Sequence, residues 1–203
     1  MALRKDAQRN RDRLVGSARE LIASDGVDVP VEEITRRAGV GMGTLYRHFP
    51  TKGDLVDAVL EEILDSYVGL ARDALLVEDP WEGFAGFMEQ ALALHAANRG
   101  LKAAIASTAH GRERAQAARR KVRPLVQTLV ERAQAEGSLR EDVTGEDVTM
   151  LLWAGGGLIE AAGEVAPELW RRYLALVLDG LRVGSHAPLP VPPLTKAELT
   201  RIA

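Results

Sequence analysis

The sequence predicts an all-α protein, and three observations carry that expectation. Ala, Leu, Glu and Arg are abundant among the 203 residues, aromatics make up 4%, and runs of alternating β-branched residues are missing. Alanine and straight-chain residues favour helices, whereas β-branched and aromatic ones favour strands. Apolar residues also recur every three or four positions, the period of one helix face. Finally, Gly and Pro fall between these faces, where helices stop and start. At this length, 46% hydrophobic content suffices for a sizeable core.

Leu14, Ala18, Leu21 and Ile22 form the stripe of a first helix that ends near Gly26. Pro30 suits the start of a second, with Val31, Ile34 and Ala38 on its buried face and Gly39 at its end. A third covers Gly43 to Phe49, and Pro50 breaks the chain. A long helix follows from Thr51 to Leu76, with Thr51 as cap and Asp54 in the capping-box position. Pro80 opens a helix with Trp81, Phe84, Phe87, Met88, Ala91 and His95 on its apolar side, closed by Asn98 and Gly100. Short helical pieces are expected over 101–118, then a helix carrying Leu125, Val126, Leu129 and Ala133 to Gly137. Thr144 caps a helix over 145–164 that contains Gly155, Gly156 and Gly157. Pro167 starts the last long helix, with Trp170, Leu174, Val177, Leu178 and Leu181. The proline-rich tail from Gly184 is expected to be loosely ordered, with room for a short helix over 195–202. The expected division is 1–50 as a three-helix head, 51–183 as a helical body joined to it by the long helix, and 184–203 as the tail.

Composition narrows the function. Without cysteine there is no disulfide scaffold, thiolate zinc site or cysteine nucleophile. The first residues lack an apolar core like that of a signal peptide, and no run of about 18 apolar residues marks a membrane span. A cytoplasmic protein without membrane contact is therefore expected. Residues 1–55 hold ten Lys/Arg against eight Asp/Glu, and the remainder sixteen against twenty-one. That is the sign expected of a nucleic-acid-binding head on an acidic body.

The informative stretch is 31–55, VEEITRRAGVGMGTLYRHFPTKGDL. Two short helices around a turn at Gly39 have the layout of a helix-turn-helix. Val40, Leu45 and Phe49 anchor the second helix to the head, which leaves Met42, Gly43, Arg47 and His48 facing outward. Such a helix fits the major groove of double-stranded DNA. Gly43 permits close backbone approach, and Arg47 can donate to guanine or phosphate. Thr44 and Tyr46 supply hydroxyls. Lys52 supplies a charge at a helix start, where amides also face phosphate.

AGVGMGTLYRHFPTKGDL resembles the recognition segment of the TetR family of regulators, and the likeness covers roughly residues 10–60. It implies backbone phosphate contacts for Tyr46 and Lys52. Thr44, His48, Met42 and Gly43 would approach bases or phosphates, while Arg47 holds a variable position. Pro30 and Gly41 stand where family members often carry Ser or Thr, and Thr35 where Ala is usual. These departures alter which phosphates can be touched. The segment GSLREDVTGEDVTMLLWAGGGLIEA resembles the approach to the family's eighth helix. By that resemblance the last two long helices form a dimeric four-helix bundle. Helices four, five, seven and eight would hold a ligand, which makes Tyr67, Phe87, His95, Leu125 and Trp153 the candidate lining.

Arg4, Lys5, Arg9, Arg11 and Arg13 fit an arm reaching DNA or a disordered basic tail equally well. His95 and His110 lack metal-ligand spacing, so core or pocket-lining roles outweigh a metal or catalytic one. The run Arg112, Arg114, Arg119, Arg120, Lys121 and Arg123 reads as a solvated face before a second nucleic-acid patch. No nucleophile and base, paired acids or cofactor motif stands at recognisable spacing. The expectation is a homodimeric repressor on a palindromic operator, joined through Trp170, Leu174, Val177, Leu178 and Leu181. A small, mostly apolar effector would release it. A helical adaptor or small-molecule enzyme with no DNA role is the alternative.

Overall fold

The computed structural model describes residues 2–108, 110–184, 187 and 189–202, without the side chains of 2–4, 101 and 102. The described residues form helices α1 (Ala2–Asp25), α2 (Val31–Ala38), α3 (Met42–His48), α4 (Lys52–Leu75) and α5 (Pro80–Ala96). These are followed by α6 (Leu101–Ser107), α7 (Gly111–Glu136), α8 (Gly145–Ala162), α9 (Leu169–Leu181) and α10 (Lys196–Ile202). An isolated bridge between Leu139 and Arg182 is the only β-pairing among them. The helices sort into two compact units, Met1–Ser66 with Ala97–Ala118, and Tyr67–Ala96 with Arg119–Ala203. The two units interleave along the chain, and α4 and α7 each contribute to both.

In the first unit, Leu14, Val15, Ala18, Leu21 and Ile22 of α1 are buried, as are Ile34, Ala38, Leu45 and Phe49. Val31 and Val40, expected to be anchors, are only half-buried, and Thr35 is buried instead. Val31 opens a helix of eight residues and so lies at its edge. Thr35 is tolerated inside because its hydroxyl donates to the Glu32 carbonyl at 2.9 Å. The α2 helix ends on Gly39 at φ 62°. The Gly39 amide donates to the Arg36 carbonyl and the Val40 amide to Thr35, the paired bonds of a Schellman turn. Only glycine enters that left-handed conformation without cost, so this residue sets the angle between α2 and α3.

Helix α1 starts twelve residues earlier than its apolar stripe foretells. The basic segment is neither a loose tail nor an extended arm; Lys5, Arg9, Arg11 and Arg13 lie on helix, while the Arg4 side chain is outside the described residues. Arg, Lys, Gln and Ala are good helix formers. Pairs at helical spacing add support: Arg9 with Asp6 at 3.5 Å, and Gln8 donating to Asp12 at 2.7 Å. Elsewhere in this unit, Arg19 Nε donates to Asn98 at 2.8 Å. Arg114 lies 3.6 Å from the buried Asp57 and 3.4 Å from Glu61.

The second unit closes over Phe84, Phe87 and Met88 of α5, Leu129, Val130 and Ala133 of α7, Val148 and Ile159 of α8, and Trp170, Leu174 and Leu181 of α9. A Cβ on Gly155 would stand 2.7 Å from Leu92, and one on Gly156 2.9 Å from the His95 ring. These two glycines therefore let α8 lie close against α5, whereas Gly157 meets open space. Thr144 and Asp147 cap α8 in a reciprocal box. Helix α7 runs unbroken from Gly111 through Pro124, where short helical pieces were expected as far as residue 118. Pro124 and Arg120 are both exposed, so the carbonyl that proline leaves unpaired can meet water. The tail is docked in part rather than loose. Arg140 donates to the Ala187 carbonyl at 3.2 Å, the Leu189 amide donates to Asp142 at 3.4 Å, and α10 buries Leu199.

Candidate nucleic-acid interface and effector residues

Helix α3 holds seven residues between Gly41 and Phe49. Burial of Leu45 and Phe49 fixes its inner side, and Gly43, Tyr46 and Arg47 are exposed on the other. Tyr46 is 47% exposed, too much for a core aromatic. Thr44 is half-buried. Met42 and His48 are less free than expected. Met42 is half-buried, with its sulfur 3.5 Å from the Thr35 hydroxyl. His48 is half-buried, and its Nε2 is enclosed without a hydrogen-bond partner, so that nitrogen faces protein rather than solvent.

Lys52 is the first residue of α4 and stands three positions beyond Phe49. Asp54 accepts from the Thr51 amide at 2.9 Å and hydroxyl at 2.8 Å, while the Asp54 amide donates to Thr51 Oγ1 at 3.1 Å. This box holds the helix start rigid. The Lys52 ammonium and the free first-turn amides then offer donors and positive charge, the requirements of a phosphate contact. Neither α2 nor α3 has a side-chain cap, in keeping with Pro30 and Gly41 at those positions.

The candidate effector residues all belong to the second unit. Phe87 is 1% exposed and part of the core. Tyr67 and Leu125 are half-buried against that core. Burial pushes the Tyr67 hydroxyl up to about 12. His95 Nε2 lies 3.8 Å from a Glu160 carboxylate oxygen, with its ring against Gly156. Trp153 is half-buried, and the Arg119 guanidinium stands 5.4 Å from its ring centre. That contact was not foreseen, because Arg119 sits within a run that reads as solvent-facing; Arg112, Arg120 and Lys121 are exposed as read. Among the described residues no group of three or more His, Asp or Glu is arranged to hold a metal ion. None of their helices is long and apolar enough to cross a membrane.

The residues expected at a dimer contact mostly face inward. Trp170, Leu174 and Leu181 are buried in the core of their own unit, and Val177 and Leu178 are half-buried against it. A helix of this period has two apolar sides here, and sequence alone could not say which one closes the core. The outward side carries Tyr173, 50% exposed, Leu176, 60% exposed, and Gly180. On α8 the exposed Ala154, Gly157 and Ala161 repeat the same spacing.

Comparison with known proteins agrees with this layout. A family model described as "Bacterial regulatory proteins, tetR family" matches residues 14–59. One described as "Transcriptional regulator SbtR-like, C-terminal domain" matches residues 79–183. The crystal structure of a TetR transcription regulatory protein from Mycobacterium vanbaalenii is similar at 36% identity and a TM-score of 0.70, over 89% of this chain and 99% of that one. A TetR transcriptional regulator from Streptomyces coelicolor is similar at 28% identity and a TM-score of 0.68, over 86% and 99%. An HTH-type transcriptional regulator of Staphylococcus aureus is 42% identical over 67 residues, 32% of this chain; the match spans 36% of that relative's length.

Proposed function

We propose, from the premise that the chain belongs to the TetR family of bacterial transcriptional regulators, that it represses transcription as a homodimer on a palindromic operator and is released by a small, mostly apolar effector. The observation that carries the DNA part is the exposed Gly43, Tyr46 and Arg47 on α3, beside the capped start of α4 with Lys52. A single short helix reads few base pairs, and paired heads spaced by the groove repeat multiply specificity. The matching exposed stripes on α8 and α9 support a two-fold contact of small and apolar residues.

Regulation in this reading runs through α4. Its 24 residues span about 36 Å and pass from one compact unit into the other. An effector lodged near Tyr67, His95, Leu125 and Trp153, with Phe87 behind them, would favour a tilt of α4 and so change the separation of the recognition helices. A tenfold loss of DNA affinity needs about 1.4 kcal/mol of such preference. The effector then binds the operator-bound form more weakly by the same factor.

The test is selection of bound duplexes from a random pool, followed by footprinting. A palindromic sequence protected on both half-sites is expected. On it, Tyr46→Phe should weaken binding alike on selected and unrelated duplexes, whereas Arg47→Ala should change base preference. Recovery of no common sequence would overturn the reading.

A further inference from the structure

We infer that the N-terminal extension of α1 forms a second DNA contact, to the phosphate backbone, through Lys5, Arg9 and Arg13. The inference rests on the reading that α3 and the start of α4 face DNA. The extension precedes Leu14, the first buried residue of α1 among the described side chains, and lies outside the matched family segment, which begins at that same residue. Core packing therefore does not explain why this helix continues, and its charges need another reason.

Lys5, Arg9 and Arg13 recur every fourth residue, so they share one side of the helix, and all three are exposed. Two contacts tie this segment to α3. The Arg11 guanidinium stands 5.5 Å from the ring centre of Phe49, which follows α3 and precedes Lys52 by three residues. Arg13 Nη1 lies 3.7 Å from where a Cβ on Gly39 would be, in the turn before α3. The end of the extension, Arg11 and Arg13, thus lies beside the residues that flank the recognition helix on either side.

The two carboxylates are engaged within the helix. Asp12 accepts from Gln8 at 2.7 Å, and Asp6 pairs with Arg9 at 3.5 Å. The latter pair is largely exposed on both sides, so Arg9 can exchange it for phosphate at little cost. Five cations, Arg4, Lys5, Arg9, Arg11 and Arg13, thus stand against two acids in this stretch of sequence. Exposed lysine and arginine side chains along one helix face suit the phosphate backbone, which takes most protein–DNA hydrogen bonds.

The experiment compares the full chain with Lys5→Gln/Arg9→Gln/Arg13→Gln and with Lys52→Ala, on selected and random duplexes across a salt series. Gln retains helix propensity, and matching circular dichroism and melting curves check the fold. The triple variant should lose about tenfold or more in affinity at 0.1 M salt, equally on both duplexes, with the log–log salt slope reduced by about two to three. Exchange of Lys5 for Arg and of both arginines for Lys should retain parental binding, since charge is what counts. Unchanged affinity and slope in the Gln variant, with Lys52→Ala still impaired, would overturn this inference and leave the proposed function standing. A shift in base preference instead of a uniform loss would overturn the phosphate assignment. If neither variant lost affinity, the DNA-facing role of α4 would fall as well.

Discussion

Tyr67 carries a polar group into the half-buried margin of the second unit's core, and its hydroxyl is held protonated up to about 12. In the unfolded chain a tyrosine ionises near pH 10. Between these values the unfolded state has lost a proton that the folded state keeps. Stability is therefore intact below about pH 10 and falls as pH rises toward 12, by up to about 2–3 kcal/mol. Tyr67→Phe should flatten that decline in a series of urea midpoints, and equal declines in the two proteins would count against it. Residues governed by local rules were legible beforehand: the Thr51 box, the Thr144 cap, Gly39, and the exposure of Tyr46 and Arg47. Met42 and His48 were not, since Thr35 and the surroundings of His48 Nε2 decide their freedom across space rather than along the chain.

Among the helices, α7 carries a proline, Pro124, inside its length. Its ring removes one helical hydrogen bond at an exposed position. Pro124→Ala should therefore raise stability, by up to about 3 kcal/mol, in a denaturant titration. An unchanged midpoint would mean that the helix bends there without cost. The core faces of α1 and α5 were readable because a single apolar stripe existed. The early start of α1 was not, because side-chain pairs such as Gln8 with Asp12 extend a helix without leaving any apolar period. The face of α9 was ambiguous for the opposite reason, apolar residues on both sides.

For the whole molecule, the proposed two-fold contact falls on the outward sides of α8 and α9. Gly157→Arg/Leu176→Arg should convert a dimer to a monomer in sedimentation at micromolar concentration and weaken operator binding, while leaving the melting of a single chain little changed. A dimer that persisted would move the contact elsewhere. The interleaved units have a separate consequence for recombination. The chain passes between them near residues 66, 96 and 118, so the first unit is completed by a segment encoded well after it. Arg19 with Asn98, and Asp57 with Arg114, join pieces from both sides of that gap. A hybrid made by one crossover after residue 50 would give a borrowed head a foreign closing segment. Such a hybrid would inherit operator choice cleanly only if residues 97–118 travelled with the head, a double exchange rather than a single splice.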